Sequence, residues 1–239
     1  MAARQSFNKK LQESLTVPFY MVAVLWIIHL IQFILPFNFG WLGIYPGEIW
    51  GLRGVIFAPL IHSDWGHLLS NTPPFFALTA IIWFFYRRIA IPSFMMIYLL
   101  TGLGVWLFGR EVFHIGASGV VYGLVSFVFW NGIFRRNLKS IVLALIVVFY
   151  YGSMFAGILP GQEGISWESH LIGGIVGIFA SYWFKEAIEE DEKKPVYSWE
   201  LEEETKESFL DPNAFEKTRQ QRMEEQRRRD EDGWFRTIS

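Results

Sequence analysis

Of the 44 Asp, Glu, Lys and Arg residues in this chain of 239, 28 lie between Lys185 and Arg236, leaving 16 for the first 184 positions. Charged residues are 18% of the whole and hydrophobic residues 52%, against about 25% charged in an average soluble domain. So few charges cannot cover a water-facing surface, and the first 184 residues are expected to sit in lipid. The same composition excludes a nucleic-acid binder held by a basic face and a disordered chain. With zero cysteines, disulfides, thiolate metal sites and a cysteine nucleophile are excluded as well. No metal and no cofactor is expected.

Runs free of Asp, Glu, Lys and Arg cover 14–47, 65–86, 89–109, 112–134, 140–162 and 169–184. About 20 apolar residues in helix cross the hydrocarbon core. Six spans are predicted, near 17–37, 67–86, 91–108, 117–133, 140–158 and 169–185. The first is read as an uncleaved anchor, because no small-residue cleavage site follows it. One set of loops collects Arg4, Lys9, Lys10, Arg87, Arg88, Arg135, Arg136, Lys139 and Lys185; the other holds only Arg53 and Arg110. The positive-inside rule then puts both termini in the cytoplasm. The expected architecture is an all-α polytopic membrane protein. Residues 1–16 form a cytoplasmic segment, 17–185 a six-helix bundle, and 186–239 a charged cytoplasmic tail. Within the tail a helix is predicted from Asn213 to Arg229, with Asp211-Pro212-Asn213 as its start. The tail is read as solvated, and a partner for it is left open.

Polar groups inside a membrane are costly and call for a reason. Three clusters stand out: His62 to Asn71 at the head of span two, Gly116 to Gly123 at the head of span four, and Ser169 to Gly177 at the head of span six. Spans two, four and six all run from outside to inside, so the clusters are expected at one depth near the outer face. Ser118 and His170 suggest nucleophilic catalysis, since a serine hydroxyl needs a base to take its proton. Glycines four apart, Gly119 with Gly123 and Gly173 with Gly177, let two membrane helices touch closely. The unpaired N–H at the helix start near Ser118, with Asn71 and His67, could stabilise an oxyanion. Tyr122 lies one turn beyond Ser118 and could support His170. Taken singly, Gly-Ala-Ser-Gly is more often a packing motif and a lone intramembrane histidine more often a satisfied core residue; His29 is read that way, or as facing a lipid headgroup. The three clusters together are much harder to obtain by chance.

With these motifs the sequence resembles the rhomboid family of intramembrane serine proteases, over roughly residues 17–185. The resemblance implies a six-helix fold with a cavity open to the outside and a Ser118–His170 dyad without a third acidic member. It implies an oxyanion hole lined by His67, Asn71 and the Ser118 N–H, and Tyr122 stacked on the histidine. Gly116, Gly119, Gly173 and Gly177 support the site. The implied partners are transmembrane protein substrates in a lipid bilayer, entering between spans two and five and cut near their outer ends at small residues. Six spans with few internal charges and no eukaryotic targeting signal suggest a bacterial plasma membrane. Two departures carry expectations. The family's first outer loop usually has a Trp-Arg pair, and the nearest equivalent here is Leu52-Arg53. Pro73 and Pro74 are expected to interrupt span two and to free the carbonyls of Leu69 and Ser70. Rival classes are an inactive relative that holds membrane clients, and a small transporter, which would carry charges inside its spans. Gly177→Leu is expected to lower activity far more than Gly132→Leu, which lies at the cytoplasmic end of span four.

Overall fold

Lipid offers no partner to a backbone N–H or C=O, so each charge-free run must close its own hydrogen bonds. The computed structural model describes residues 2–35, 37–161, 164–187, 189 and 217–235, and a helix lies on each of the six runs. These are α1 (Ala2–Ile34), α2 (Trp65–Phe85), α3 (Ala90–Phe108), α4 (Ser118–Arg135), α5 (Leu138–Tyr151) and α6 (Trp167–Trp183). A tighter 3₁₀ stretch, Gly152–Ile158, prolongs α5. There is no strand among the described residues, only an isolated pairing of Ile44 with His114. Four segments are long and apolar enough to cross a membrane: Phe7–Ile34, Trp65–Phe85, Ala90–Phe108 and Leu138–Ile158. Helices α4 and α6 fall outside that group, with 18 and 17 residues and glycine, serine, asparagine and glutamate among them. Their neighbours explain it. Ten of the 18 residues of α4 are buried, so that helix is surrounded by protein and has little need of a lipid-compatible surface.

Helices α4 and α6 form the most extensive contact in the bundle. A Cβ on Gly173 would strike the carbonyl of Gly119, and one on Gly177 would lie 2.7 Å from Ser126 Cβ and 3.0 Å from the Phe127 amide nitrogen. The Ser126 hydroxyl donates to the Gly174 carbonyl at 2.7 Å, which closes the same seam. Gly132 is closely packed as well. A Cβ there would come within 2.5 Å of Ala144 Cβ and 2.8 Å of the Ser140 carbonyl oxygen, because α5 packs on that face.

Two boundaries differ from the hydropathy reading. Helix α1 begins at Ala2, so most of the polar segment 1–16 is already helical. Lipid sets where side chains turn apolar, whereas Lys, Gln and Glu continue a helix readily. Glu13 on that extension pairs with Arg87 at the α2–α3 turn. Helix α2 runs unbroken through Pro73 and Pro74. The carbonyls that the prolines leave belong to Leu69 and Ser70, both on the exposed face of the helix. Residues at one end of the bundle interlock further. Arg135 donates to the Phe184 carbonyl at 3.1 Å, Tyr86 to Ser140 Oγ at 3.0 Å, and the Arg88 amide to the Glu189 carboxylate at 3.1 Å.

The segment between α1 and α2 is held by Arg53. Its guanidinium donates to the carbonyls of Trp41 and Trp50, each at 3.0 Å. It also lies 4.7 Å and 4.9 Å from the ring centres of the same two tryptophans. The indoles that clasp Arg53 thus stand three and twelve positions before it, and Leu52 takes no part in the clasp. Trp106 of α3 donates to the Glu48 carbonyl at 2.8 Å, and Tyr98 to that of Ile56 at 2.5 Å.

Contacts divide the chain into two units, 1–192 and 193–239. In the second, α7 (Arg219–Phe235) is described. The expected start at Asp211-Pro212-Asn213 lies outside the described residues. The described helix opens at a capping box. Gln221 donates its amide N–H to Thr218 Oγ1 at 3.4 Å, and the Thr218 amide donates to Gln221 Oε1 at 2.9 Å.

Candidate active site

The helix heads carry the polar clusters, so their placement follows from caps and turns. Asp64 caps α2 by accepting the His67 amide at 2.9 Å. That fixes His67 and, one turn on, Asn71 on a face turned toward α4. Gly116 precedes α4 with φ of +102°, a conformation that favours glycine. The His67 ring fills the space beside it: a Cβ on Gly116 would come within 2.6 Å of His67 Cε1 and Nε2. Ser118 is the first residue of α4, so its amide has no acceptor within the helix.

At the centre, His170 Nε2 lies 2.9 Å from Ser118 Oγ. His170 Nδ1 lies 2.8 Å from the carbonyl oxygen of Gly157. The Tyr122 ring is stacked on the imidazole, with centroids 4.0 Å apart and planes within 9°. Its hydroxyl donates to the Met154 carbonyl at 2.6 Å. Ser118 is half-buried and His170 is buried. The arrangement can move a proton from a serine hydroxyl to an imidazole, which is what activates such a nucleophile. Asn71 is buried and donates one side-chain N–H to the His67 carbonyl at 2.9 Å, leaving its second N–H for another acceptor. His67 Nδ1 lies 3.2 Å from Ser63 Oγ.

Two further contacts brace the heads of α4 and α6. Arg110 Nε lies 2.8 Å from the buried Glu168 Oε1. His114 Nδ1 lies 2.6 Å from Ser166 Oγ, which lies 2.7 Å from Ser169 Oγ. Burial pushes the His114 imidazole below its usual range. Glu168, His114 and Ser166 were not singled out in the sequence, although Glu168 next to the Ser169-His170 pair is a charge where a span begins.

His62 sits in the segment before α2, fully buried, and its Nε2 accepts the Ala117 amide at 3.5 Å. Burial, then the neighbouring His67 and His29, pushes its pKa down to about 3 from 6.5. A neutral ring can accept that N–H, whereas a protonated one cannot. Between about 3 and 6.5 the unfolded chain binds a proton here that the folded chain refuses. His62 therefore leaves stability intact above pH 6.5 and erodes it as pH falls toward 3. Thermal unfolding in detergent should show that loss, and His62→Asn should flatten the slope over the same window. An identical slope in the variant would remove His62 from the account.

Of the residues singled out in the sequence, Ser118, His170, Tyr122 and Gly116 meet at this point, with His67 and Asn71 beside them. Gly119 and Gly173 lie in the seam just below, and Gly177 deeper in it. His29 lies elsewhere, buried edge-on to Trp65 at 4.5 Å between ring centroids. Among the described residues no group of three His, Cys, Asp or Glu side chains is placed to hold a metal. Comparison with known proteins gives a match to the family model described as the Rhomboid domain, over residues 46–187. An uncharacterized protein of Mycobacterium tuberculosis is 38% identical over 170 residues, covering 67% of this chain and 71% of that one. An uncharacterized protein of Mycobacterium leprae is 34% identical over 140 residues, covering 55% of each chain.

Proposed function

The chain belongs to the rhomboid family and is an integral membrane protein, and from that premise we propose that it is a serine endopeptidase that cleaves transmembrane segments near the outer membrane face. The contact of 2.9 Å between Ser118 Oγ and His170 Nε2, at the heads of two glycine-packed helices, carries the reading. Ser118 Oγ attacks the scissile carbonyl carbon as its proton passes to His170 Nε2. The resulting oxyanion is stabilised by the Ser118 amide, with Asn71 and His67 as side-chain donors. The C–N bond breaks as His170 returns the proton to the leaving amine. Water, deprotonated by His170, then hydrolyses the acyl group on Ser118 and the proton goes back to Oγ. No cofactor takes part.

In this reading all six helices α1–α6 span the membrane. Loop charges orient both termini toward the cytoplasm of a bacterial cell, so the heads of α2, α4 and α6 open outward. Substrates are transmembrane proteins delivered through the bilayer. The purified protein, mixed in detergent with a single-span substrate, should release a fragment cut near the outer end of the span. A fluorophosphonate should label Ser118. A folded protein that binds such segments but neither cuts them nor takes the label would be a client-holding relative instead.

The tail from Glu186 onward lies on the cytoplasmic side in this reading, away from the dyad. Truncation after Glu192 is expected to leave cleavage of a detergent-solubilised substrate within a few-fold of the full chain. Loss of activity in a truncated protein that unfolds at the same temperature would assign the tail a direct part in catalysis.

A further inference from the structure

A serine protease histidine needs its Nδ1–H held, so that Nε2 presents a lone pair to the serine. Among the described residues the atom facing His170 Nδ1 is the carbonyl oxygen of Gly157, at 2.8 Å. A carbonyl can only accept, so this bond places the hydrogen on Nδ1 and leaves Nε2 basic. Three residues earlier in the chain, the Met154 carbonyl accepts the hydroxyl of Tyr122, the ring stacked on His170. Both acceptors belong to the 3₁₀ stretch Gly152–Ile158. With three residues per turn, positions i and i+3 share a face in such a helix, and Met154 and Gly157 have that spacing.

The sequence keeps the Gly157 carbonyl available. Continued 3₁₀ winding would hand it the N–H of residue 160, and residue 160 is proline, which has none. Glycine is required at 157 as well. A Cβ there would overlap the Tyr122 hydroxyl and lie 3.2 Å from His170 Nδ1.

We propose that the Gly157 carbonyl is the orienting partner of His170, filling by backbone the place that a carboxylate takes in a triad, with Met154 holding Tyr122 from the same stretch. The proposal rests on the Ser118–His170 reading above. Gly157 is a positioning residue, and the stretch that carries it prolongs α5. A shift in that end of α5 therefore withdraws the acceptor of the imidazole and the acceptor of the ring stacked on it at once.

The test compares Gly157→Ala, Pro160→Ala and Gly152→Ala in the full chain. A Cβ on Gly152 meets nothing within 4 Å, so this last variant makes the same chemical change without touching the site. Nitrogen-15 NMR of histidine-labelled protein, assigned by loss of the signal in His170→Ala, should show His170 protonated at Nδ1 in wild type and in Gly152→Ala. Gly157→Ala should shift the ring toward a mixture of tautomers. Its kcat should fall about tenfold or more, with KM within about twofold. Pro160→Ala, which supplies a competing N–H, should move both readouts the same way by a smaller factor, and it serves if Gly157→Ala fails to fold. Wild-type tautomer and kcat in every folded member of the pair Gly157→Ala and Pro160→Ala would overturn the proposal. If the wild type neither cuts nor labels, the protease reading fails, while the tautomer still decides what Gly157 does.

Discussion

Replacing Ser118 with alanine is expected to end proteolysis outright. The hydroxyl contacts His170 Nε2 at 2.9 Å and is half-buried at the first position of α4, where alanine supports the helix equally well. The variant should therefore unfold at the wild-type temperature while losing its nucleophile. His170→Ala removes the base from the same pair. Residues that act as a unit lose most of their effect with the first deletion, on the order of 10⁶-fold in kcat where a serine protease has been dissected. The double variant should be no worse than either single one. The measurement is kcat on a transmembrane substrate for all four proteins, each checked for cooperative unfolding. Appreciable cleavage by Ser118→Ala would end the protease reading. Near-additive losses would show that the two residues act in separate steps.

How far the sequence speaks depends on which physical quantity it encodes. Charge-free runs located the helices because lipid penalises charge and unpaired backbone alike. The run proposed as 91–108 is the helix Ala90–Phe108, and that proposed as 67–86 is Trp65–Phe85. The polar extension of α1 was invisible to that signal, because hydropathy marks the edge of lipid and not the end of a helix. The meeting of Ser118 with His170 was legible from span parity and from the glycine spacing. Backbone partners were not. The Gly157 and Met154 carbonyls have no side-chain signature, and the 3₁₀ winding that aligns them is as apolar as the helix before it. The close packing at Gly132 was hidden for a related reason. Counting spans gave its depth, while its tolerance depends on α5, whose contact at Ser140 and Ala144 appears only in three dimensions.

The seam between α4 and α6 should prove the next most sensitive part of the site after the dyad. Gly174 and Gly177 stand on one helix less than a turn apart, yet a Cβ on Gly174 would meet nothing within 4 Å. A Cβ on Gly177 would press on the Gly123 carbonyl, on Ser126 Cβ at 2.7 Å and on the Phe127 amide at 3.0 Å. Both Gly→Ala changes add the same helix propensity, about 1 kcal/mol in favour of folding. Only the second must force two backbones apart. Overpacking of this kind costs about 1–3 kcal/mol, and the helices relieve it by separating. Ser118 and His170 ride on the two helices that would separate, and their bond has little slack at 2.9 Å. A displacement of about 1 Å is enough to lose on the order of 100-fold in rate. Gly177→Leu is expected to reach that loss and Gly177→Ala to fall about tenfold, whereas Gly174→Ala stays near wild type. The comparison is kcat at matched expression, with unfolding temperature measured for each variant. If Gly177→Ala and Gly174→Ala prove equally active, the spacing of α4 and α6 does not set the distance across the dyad, and the four glycines serve assembly of the bundle alone.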